Sequence, residues 1–326
     1  MQTLDLTFVA FVLVASLRCW LRAIRRYRSG APLLEWEPRA RVPWTVWEVL
    51  AAVFVFLCVQ LLVVTGVRQW LGPELEFSSV ELTSDQWVGV LLVDSLAKLA
   101  AAAIWLLLIR RAVRASWQDI GIQPHKLLQD LWLGGAVFVM WAPPVYVLQA
   151  LLVYWMPYEH PLIEMLQERT EPVFLVVSGL AALVVAPVVE EFFFRTLLQG
   201  WFEQLDTRGL TAFLIPRSRD IIPAGSPADE HPSGADWASA EPWDQPGSAS
   251  AGQAAGGGTW PILVTALLFA LMHAPHGVPA LVTLTLYAIA IGYVYRQTHR
   301  LVPCIVAHLA LNAVSLLALA RAILEG

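Results

Sequence analysis

Two adjacent glutamates, Glu190 and Glu191, stand near the end of the apolar stretch Ala-Pro-Val-Val-Glu-Glu-Phe-Phe-Phe-Arg-Thr. Neighbouring side chains on a helix point about 100° apart, so the two carboxylates face different directions. Arg195 follows Glu191 at i+4, the spacing at which helical side chains meet. We therefore predict that Arg195 neutralises Glu191, and that Glu190 needs a partner on another helix, a water molecule or a proton. The alternative is that all three are interfacial charges at the cytoplasmic end of a span.

A histidine ends a second apolar stretch, Phe-Ala-Leu-Met-His at residues 269–273. Phe269 and His273 are four residues apart and share a helical face. His276 follows three residues later, but Pro275 interrupts the helix between the two histidines. We favour His273 over His276, although a single histidine near a helix end is more often a hydrogen-bonded bystander than a catalyst.

A third apolar stretch contains Ala-His-Leu-Ala-Leu-Asn at residues 307–312. His308 and Asn312 lie on one helical face, away from either end of the stretch. The alternative for this pair is an interhelical hydrogen bond that only joins helices. Asp94 and Lys98 have the same i, i+4 spacing, and we interpret them as a self-neutralising structural pair.

Together, one glutamate, two histidines and an asparagine are the groups that a water-activating hydrolase requires. A carboxylate takes a proton from water, an imidazole orients that water, and a histidine–amide pair donates to a developing oxyanion. Glutamate and histidine are also zinc ligands, so Glu190, His273 and His308 form a candidate metal site. The residue types leave a metal-free site and a zinc site both open.

The elements that must position these groups are membrane-spanning helices. The chain of 326 residues is 57% hydrophobic and 14% charged, and its mean hydropathy is +0.60. A soluble domain carries about a quarter charged residues. Helices are expected because backbone polar groups in lipid must be satisfied within the segment. We predict an all-α, polytopic transmembrane helix bundle of about eight spans, at residues 4–21, 45–67, 87–109, 131–155, 173–194, 259–274, 278–296 and 301–322.

The distribution of arginine and lysine predicts the orientation of these spans. Basic residues are concentrated after spans 1, 3, 5 and 7, whereas the alternate loops carry acidic residues. The positive-inside rule then places both termini outside. Glu190 and His273 lie on spans that enter the membrane from opposite surfaces. Measured along the spans, their distances from those surfaces together exceed the thickness of the hydrocarbon layer by roughly 16 Å. The two helices must therefore tilt or protrude together for these residues to meet.

The chain divides into two units. Residues 1–172 form an N-terminal unit of about four spans, with an interfacial segment at 115–130 that leads into the fourth span. We expect residues 173–326 to form the catalytic helix bundle, since they contain all the candidate site residues. Residues 216–258 are rich in Pro, Gly, Ser, Ala and Asp, a composition that cannot bury enough apolar surface to offset chain entropy. We expect them to be a disordered cytoplasmic insertion that is dispensable for chemistry.

Several other classes of protein are disfavoured. The three cysteines, Cys19, Cys58 and Cys304, form no C-x-x-C pair, so neither a cysteine zinc site nor a disulfide framework is supported. No basic block is long enough to suggest nucleic-acid binding. Other intramembrane proteases are disfavoured because the chain has no H-E-x-x-H motif, no paired intramembrane aspartates and no rhomboid-like serine motif.

In this order, on consecutive apolar segments, the three motifs resemble the CPBP family of intramembrane proteases. That family includes the type II CAAX prenyl proteases and the bacterial bacteriocin-immunity (Abi-like) proteins. The motifs are Glu190-Glu191-x-x-x-Arg195, Phe269-x-x-x-His273 and His308-x-x-x-Asn312. The resemblance covers residues 173–322, and the insertion is its one departure from the family's pattern.

The resemblance implies a role for each motif residue. Glu190 and His273 are expected to activate the hydrolytic water. His308 and Asn312 are expected to stabilise the oxyanion. The supporting residues are Glu191, Arg195 and Phe269. The family is often called metalloproteases, but these residues leave dependence on zinc open.

We therefore predict an intramembrane endopeptidase that hydrolyses peptide bonds of membrane-associated peptides or proteins. Its expected partners are the lipid bilayer and that substrate, with no nucleic acid, and its expected location is a bacterial cytoplasmic membrane. The alternative is a non-catalytic membrane immunity or binding protein on the same scaffold. A transporter is disfavoured because the chain lacks two matching halves with broken helices.

Overall fold

The computed structural model describes residues 2–37, 42–72, 82–156, 171–209 and 258–325. Within these ranges the chain is helical without β-strands, which confirms the all-α fold class. The helices are α1 Gln2–Arg28, α2 Val46–Leu71, α3 Ser84–Ala112, α4 Trp117–Ile120, α5 Leu127–Trp155, α6 Pro172–Leu180, α7 Ala186–Glu191, α8 Gly200–Arg208, α9 Trp260–Met272, α10 Gly277–Thr298 and α11 Val302–Glu325. Two π-helical segments, Ala181–Val185 and Phe192–Gln199, join α6, α7 and α8 into one run, which we call the site helix. The predicted insertion at 216–258 lies outside the described residues except for residue 258.

Several helices are built to cross a membrane. Six stretches in the described ranges are long and apolar enough: Val46–Leu71, Ser84–Ala112, Pro124–Trp155, Pro172–Thr207, Ala274–Thr298 and Val302–Arg321. Large apolar side chains cover their outer faces; Phe54 and Leu62, for example, are 68% and 70% exposed. Lipid accepts such a surface and water does not, so the chain is an integral membrane protein.

Two of the eight predicted spans do not belong to these six stretches. The first predicted span corresponds to α1, and the sixth corresponds to α9, which has 13 residues. A helix of that length is about 20 Å long, shorter than the ~30 Å hydrocarbon layer. Eight spans with both termini outside remain a prediction.

The site helix continues past the end of the fifth predicted span. The sequence suggests an end near residue 194, but the site helix continues to Arg208. Near residue 194, polar side chains of the helix form hydrogen bonds with one another. Arg195 contacts Glu191 and Gln199, and Gln199 in turn contacts Glu203. Because each group meets its partner at i, i+4 spacing, the helix continues past them.

Close packing of α11 on α5 fixes the helix that carries His308. At Gly134 in α5, an added Cβ atom would lie 2.6 Å from Cβ of Val306 and 2.7 Å from the carbonyl oxygen of Pro303. No side chain fits this space, so glycine is what allows the two helices to approach. The contact joins the two predicted units, and the boundary between them at residue 172 stays a prediction.

A partly buried cluster of charges connects the segment 115–130 to the loop between α10 and α11. This segment forms α4 and a short 3₁₀ turn before α5 begins. Arg300 pairs with Asp130, which is fully buried, and lies 3.1 Å from a carboxylate oxygen of Glu37. The cluster holds the N-terminal end of α11, and so contributes indirectly to the position of His308.

Candidate active site

Three of the predicted site residues meet inside the helix bundle. Oε2 of Glu190 lies 3.8 Å from Nε2 of His273 and 3.9 Å from Nε2 of His308. These distances are too long for direct hydrogen bonds, and a single water molecule can contact the groups on both sides. Oε2 of Glu190 is buried and has no hydrogen-bond partner among the described residues. A buried carboxylate oxygen requires a donor, and a water molecule supplies one.

The length of the site helix explains how Glu190 and His273 reach one depth. The membrane-spanning stretch Pro172–Thr207 has 36 residues and is therefore about 54 Å long, well beyond ~30 Å of hydrocarbon. A helix of this length must tilt or protrude, which is the condition that the mismatch of roughly 16 Å sets for Glu190 and His273 to meet. His273 directly follows the last residue of α9. The alternative, His276, has its ring centre 5.5 Å from that of His273.

Each of the two facing histidines has its other ring nitrogen bonded to an acceptor. Nδ1 of His273 lies 2.8 Å from the carbonyl oxygen of Phe269, and Nδ1 of His308 lies 2.8 Å from Oε1 of Glu191. A carbonyl oxygen and an ionised carboxylate can only accept, so Nδ1 carries the hydrogen in both rings. In its neutral form each ring turns the lone pair of Nε2 toward Glu190, and in the imidazolium form Nε2 carries a hydrogen instead. With both rings neutral, three acceptors surround one point, and a bound water or a shared proton satisfies them.

Glu191 and Arg195 form the ion pair that their spacing predicts. Nε of Arg195 lies 2.9 Å from Oε2 of Glu191, and both side chains are 0% exposed. Because Glu191 uses its other oxygen for His308, one carboxylate both neutralises the guanidinium and orients the imidazole. Glu190 is thus left free to face the site, as predicted from the 100° rotation between neighbours.

Two residues that sequence reasoning did not assign to the site hold Arg195 in place. Nη1 of Arg195 donates to Oε1 of Gln199 at 3.2 Å, and Nε2 of Gln199 donates to the carbonyl oxygen of Gly292 at 2.8 Å. A Cβ atom on Gly292 would lie 3.1 Å from both Nη1 of Arg195 and Oε1 of Gln199. Two features of the sequence could have indicated these residues: the i, i+4 spacing of Arg195 and Gln199, and a glycine inside an apolar helix.

Phe269 packs against both histidines. The centre of its ring lies 4.7 Å from that of His273 and 5.6 Å from that of His308, in the second case edge to face. The ring of Phe194, on the site helix, also packs against Phe269, with 5.3 Å between the two ring centres. This aromatic contact restricts the orientation of both imidazole rings.

Asn312 lies one turn beyond His308 on α11, but its amide is bonded away from the three facing groups. Nδ2 of Asn312 donates to the carbonyl oxygen of Ala182 at 2.9 Å. Among the contacts of the described residues, none joins Asn312 to Glu190 or His273. The structure therefore brings three of the four predicted catalytic residues together and gives the fourth a backbone partner.

The pair Asp94–Lys98 on α3 forms as its spacing predicts. Nζ of Lys98 lies 2.7 Å from Oδ2 of Asp94, and Gln60 on α2 donates to the other carboxylate oxygen at 3.3 Å. The pair thus joins α2 to α3, which agrees with the structural interpretation.

The described residues do not contain a group of three His, Cys, Asp or Glu side chains arranged to hold a metal ion. Glu190, His273 and His308 remain the candidate ligands of the zinc site that the sequence leaves open, and the mechanism below involves only these side chains.

Residues 172–217 and 247–314 match the family described as type II CAAX prenyl endopeptidase, Rce1-like. All the predicted catalytic and supporting residues fall within these two ranges. The interval between them, 218–246, lies inside the predicted insertion at 216–258. Searches of curated proteins and of solved structures gave no significant match.

Proposed function

We propose that this chain, which belongs to the Rce1-like type II CAAX prenyl endopeptidase family, is an intramembrane endopeptidase that uses water as its nucleophile. The observation that carries the proposal is the buried, unpartnered oxygen of Glu190, which faces Nε2 of His273 and of His308. A carboxylate without a donor, beside the imidazole of His273 whose lone pair points inward, is suited to hold and deprotonate water. Membership of a family of membrane endopeptidases supports the same chemistry.

The reaction begins with a water molecule between Glu190 and His273. Nε2 of His273 accepts one hydrogen and orients the water, while Oε2 of Glu190 takes the other proton as the oxygen attacks the peptide carbonyl. The carbonyl oxygen becomes an oxyanion in a tetrahedral intermediate. Glu190 then gives its proton to the leaving nitrogen, the C–N bond breaks, and one amine and one carboxylic acid are released.

His308 is the proposed donor to the oxyanion. Nε2 of His308 carries a hydrogen only in the imidazolium form, because Nδ1 is already the donor to Glu191. The carboxylate of Glu191 has the charge opposite to that of the imidazolium and lies at hydrogen-bond distance from it, which stabilises that form. Loss of a donor of this type typically lowers the rate by about 10²–10³.

The proposed substrate is a membrane-associated protein or peptide, cleaved in or at a cell membrane. The basic loops support an orientation with both termini outside and eight crossing segments. The composition of the insertion supports a bacterial cytoplasmic membrane. The residues around Glu190 act on a peptide bond, so the proposal includes no requirement for a prenyl group.

The test compares the membrane proteomes of cells that produce the wild type, Glu190→Gln or Glu171→Gln. Glu171 is an exposed residue at the start of the site helix, bonded to Ser84, so its variant makes the same chemical change away from the site. New N-termini should be present with the wild type and with Glu171→Gln, and absent with Glu190→Gln. If all three proteomes have the same termini, the endopeptidase assignment fails, and the non-catalytic binding protein becomes the better interpretation.

A further inference from the structure

The first π-helical segment, Ala181–Val185, leaves one backbone carbonyl of the site helix, that of Ala182, without a donor at either usual position, i+4 or i+5. In a regular α-helix, the carbonyl of Ala182 would accept the N–H of Ala186. Here the N–H of Ala186 is bonded to the carbonyl of Ala181 instead, which is the i+5 pattern of a π-helix. The next position along the chain is Pro187, which has no N–H. Neither the i+4 nor the i+5 residue can therefore serve Ala182.

Asn312 supplies the missing donor from another helix. Its Nδ2 donates to the carbonyl oxygen of Ala182 at 2.9 Å, and this hydrogen bond is partly buried. Within a membrane, a backbone carbonyl without a donor is costly because water is not available to replace it. The amide on α11 thus makes the π-helical turn tolerable.

The direction of Glu190 depends on that turn. A π-helical turn contains one residue more than an α-helical turn. If the turn relaxed to α-helix, the residues after it would rotate by about 100° relative to those before it. Glu190 lies in the α-helical segment that follows this turn, five residues after Val185. Such a rotation would turn its carboxylate away from His273 and His308.

We propose that Asn312 is a positioning residue: by holding the carbonyl of Ala182, it maintains the π-helical turn that aims Glu190 at the two histidines. The proposal rests on the proposed function for its effect on turnover, but not for its effect on the structure. It differs from the oxyanion role implied by the family resemblance. A donor to the oxyanion would affect rate alone, whereas a helix clamp affects rate and stability, and its effect depends on Pro187.

The test is a double-mutant cycle of Asn312→Leu and Pro187→Ala, measured by thermal unfolding in detergent and by kcat and KM for peptide cleavage. Asn312→Leu should lower Tm by on the order of a few degrees. It should lower kcat by about 10²-fold or more with KM unchanged, since a displacement of only ~1 Å already has that effect. Pro187→Ala restores a backbone N–H, so Ala182 regains a donor from its own helix. In that background Asn312→Leu should cause no further fall in Tm. Pro187→Ala alone should keep its Tm and lose kcat, because the turn relaxes.

The matched control is Tyr146→Phe. Tyr146 on α5 also donates to a backbone carbonyl, that of Leu311 at 2.8 Å, but this carbonyl lies in a regular part of α11. Its variant should keep kcat, because no π-helical turn depends on it. A loss of kcat equal to that of Asn312→Leu would overturn the proposal.

Two other results would also overturn it. The first is a fall in kcat for Asn312→Leu with wild-type Tm, which assigns Asn312 to the oxyanion. The second is an equal fall in Tm with and without Pro187→Ala. If Pro187→Ala does not fold, hydrogen–deuterium exchange of Asn312→Leu decides: exchange in residues 181–188 should be faster than in wild type, and unchanged exchange would refute the clamp. Tm and exchange need no substrate, so they test the clamp even if the protein cleaves nothing.

Discussion

Replacing Glu191 with glutamine should destabilise the protein strongly, because it leaves Arg195 charged and buried without its counter-ion. Both side chains are 0% exposed. Nη2 of Arg195 has no hydrogen-bond partner among the described residues, and Nη1 is bonded to the neutral amide of Gln199. Removal of one partner from a buried ion pair costs about 3–5 kcal/mol. We expect a loss of this size for Glu191→Gln.

Thermal unfolding in detergent measures this loss. At about 2–4 °C for each kcal/mol, Tm should fall by roughly 6–20 °C. The control is Glu171→Gln, an exposed carboxylate on the same helix, which should change stability by no more than about 0.5 kcal/mol. Equal Tm values for Glu191→Gln and the wild type would refute the inference that Arg195 depends on this carboxylate.

A double variant separates the cost of the stranded charge from the loss of the carboxylate itself. Glu191→Leu with Arg195→Met removes both charges, and such replacements are often neutral or stabilising. The double variant should therefore recover most of the lost Tm. It should remain inactive, because Nδ1 of His308 has lost its acceptor. A double variant as unstable as Glu191→Gln would show that packing, and not the unpaired charge, causes the effect.

Three further predictions concern the surroundings of the site. Gly292→Ala should lower turnover, and should lower stability by on the order of 1–3 kcal/mol, because its Cβ would crowd Arg195. Gly135→Ala is the control: the space around Gly135 is open, so the variant should be neutral in the same unfolding assay. Replacing residues 216–258 by a short Gly-Ser bridge should leave peptide cleavage intact, and loss of activity with normal folding would show that this segment gates or recruits substrate. A chelator should leave cleavage unchanged, and inhibition that zinc reverses would make Glu190 a metal ligand.

The parts of the site that depend on local spacing could be predicted from the sequence. The pair Glu191–Arg195 follows from i, i+4 geometry, which is the same in any helix. The separation of Glu190 from that pair follows from the rotation between neighbours. Hydropathy and composition were sufficient for an all-helical membrane protein, since lipid permits few other structures.

The features that depend on long-range contacts or on irregular backbone could not be predicted. The continuation of the site helix past residue 194 could not be predicted, because the contacts of Arg195 and Gln199 that accompany it include the carbonyl of Gly292 on another helix. The bond from Asn312 to Ala182 depends on a π-helical turn, for which Pro187 was the available signal, and a proline does not reveal which carbonyl it leaves unpaired. The cluster around Arg300 brings together residues far apart in sequence, and nothing in local spacing connects them.

The most direct test of the proposed chemistry is the turnover of purified Glu190→Gln on a peptide that the wild type cleaves. Glutamine keeps the volume of the side chain but cannot accept the proton from water, so kcat should fall by about 10²–10⁴ or more. Tm should stay close to that of the wild type, because Oε2 of Glu190 has no hydrogen-bond partner to lose among the described residues. Wild-type turnover by Glu190→Gln would contradict the assignment of Glu190 as general base.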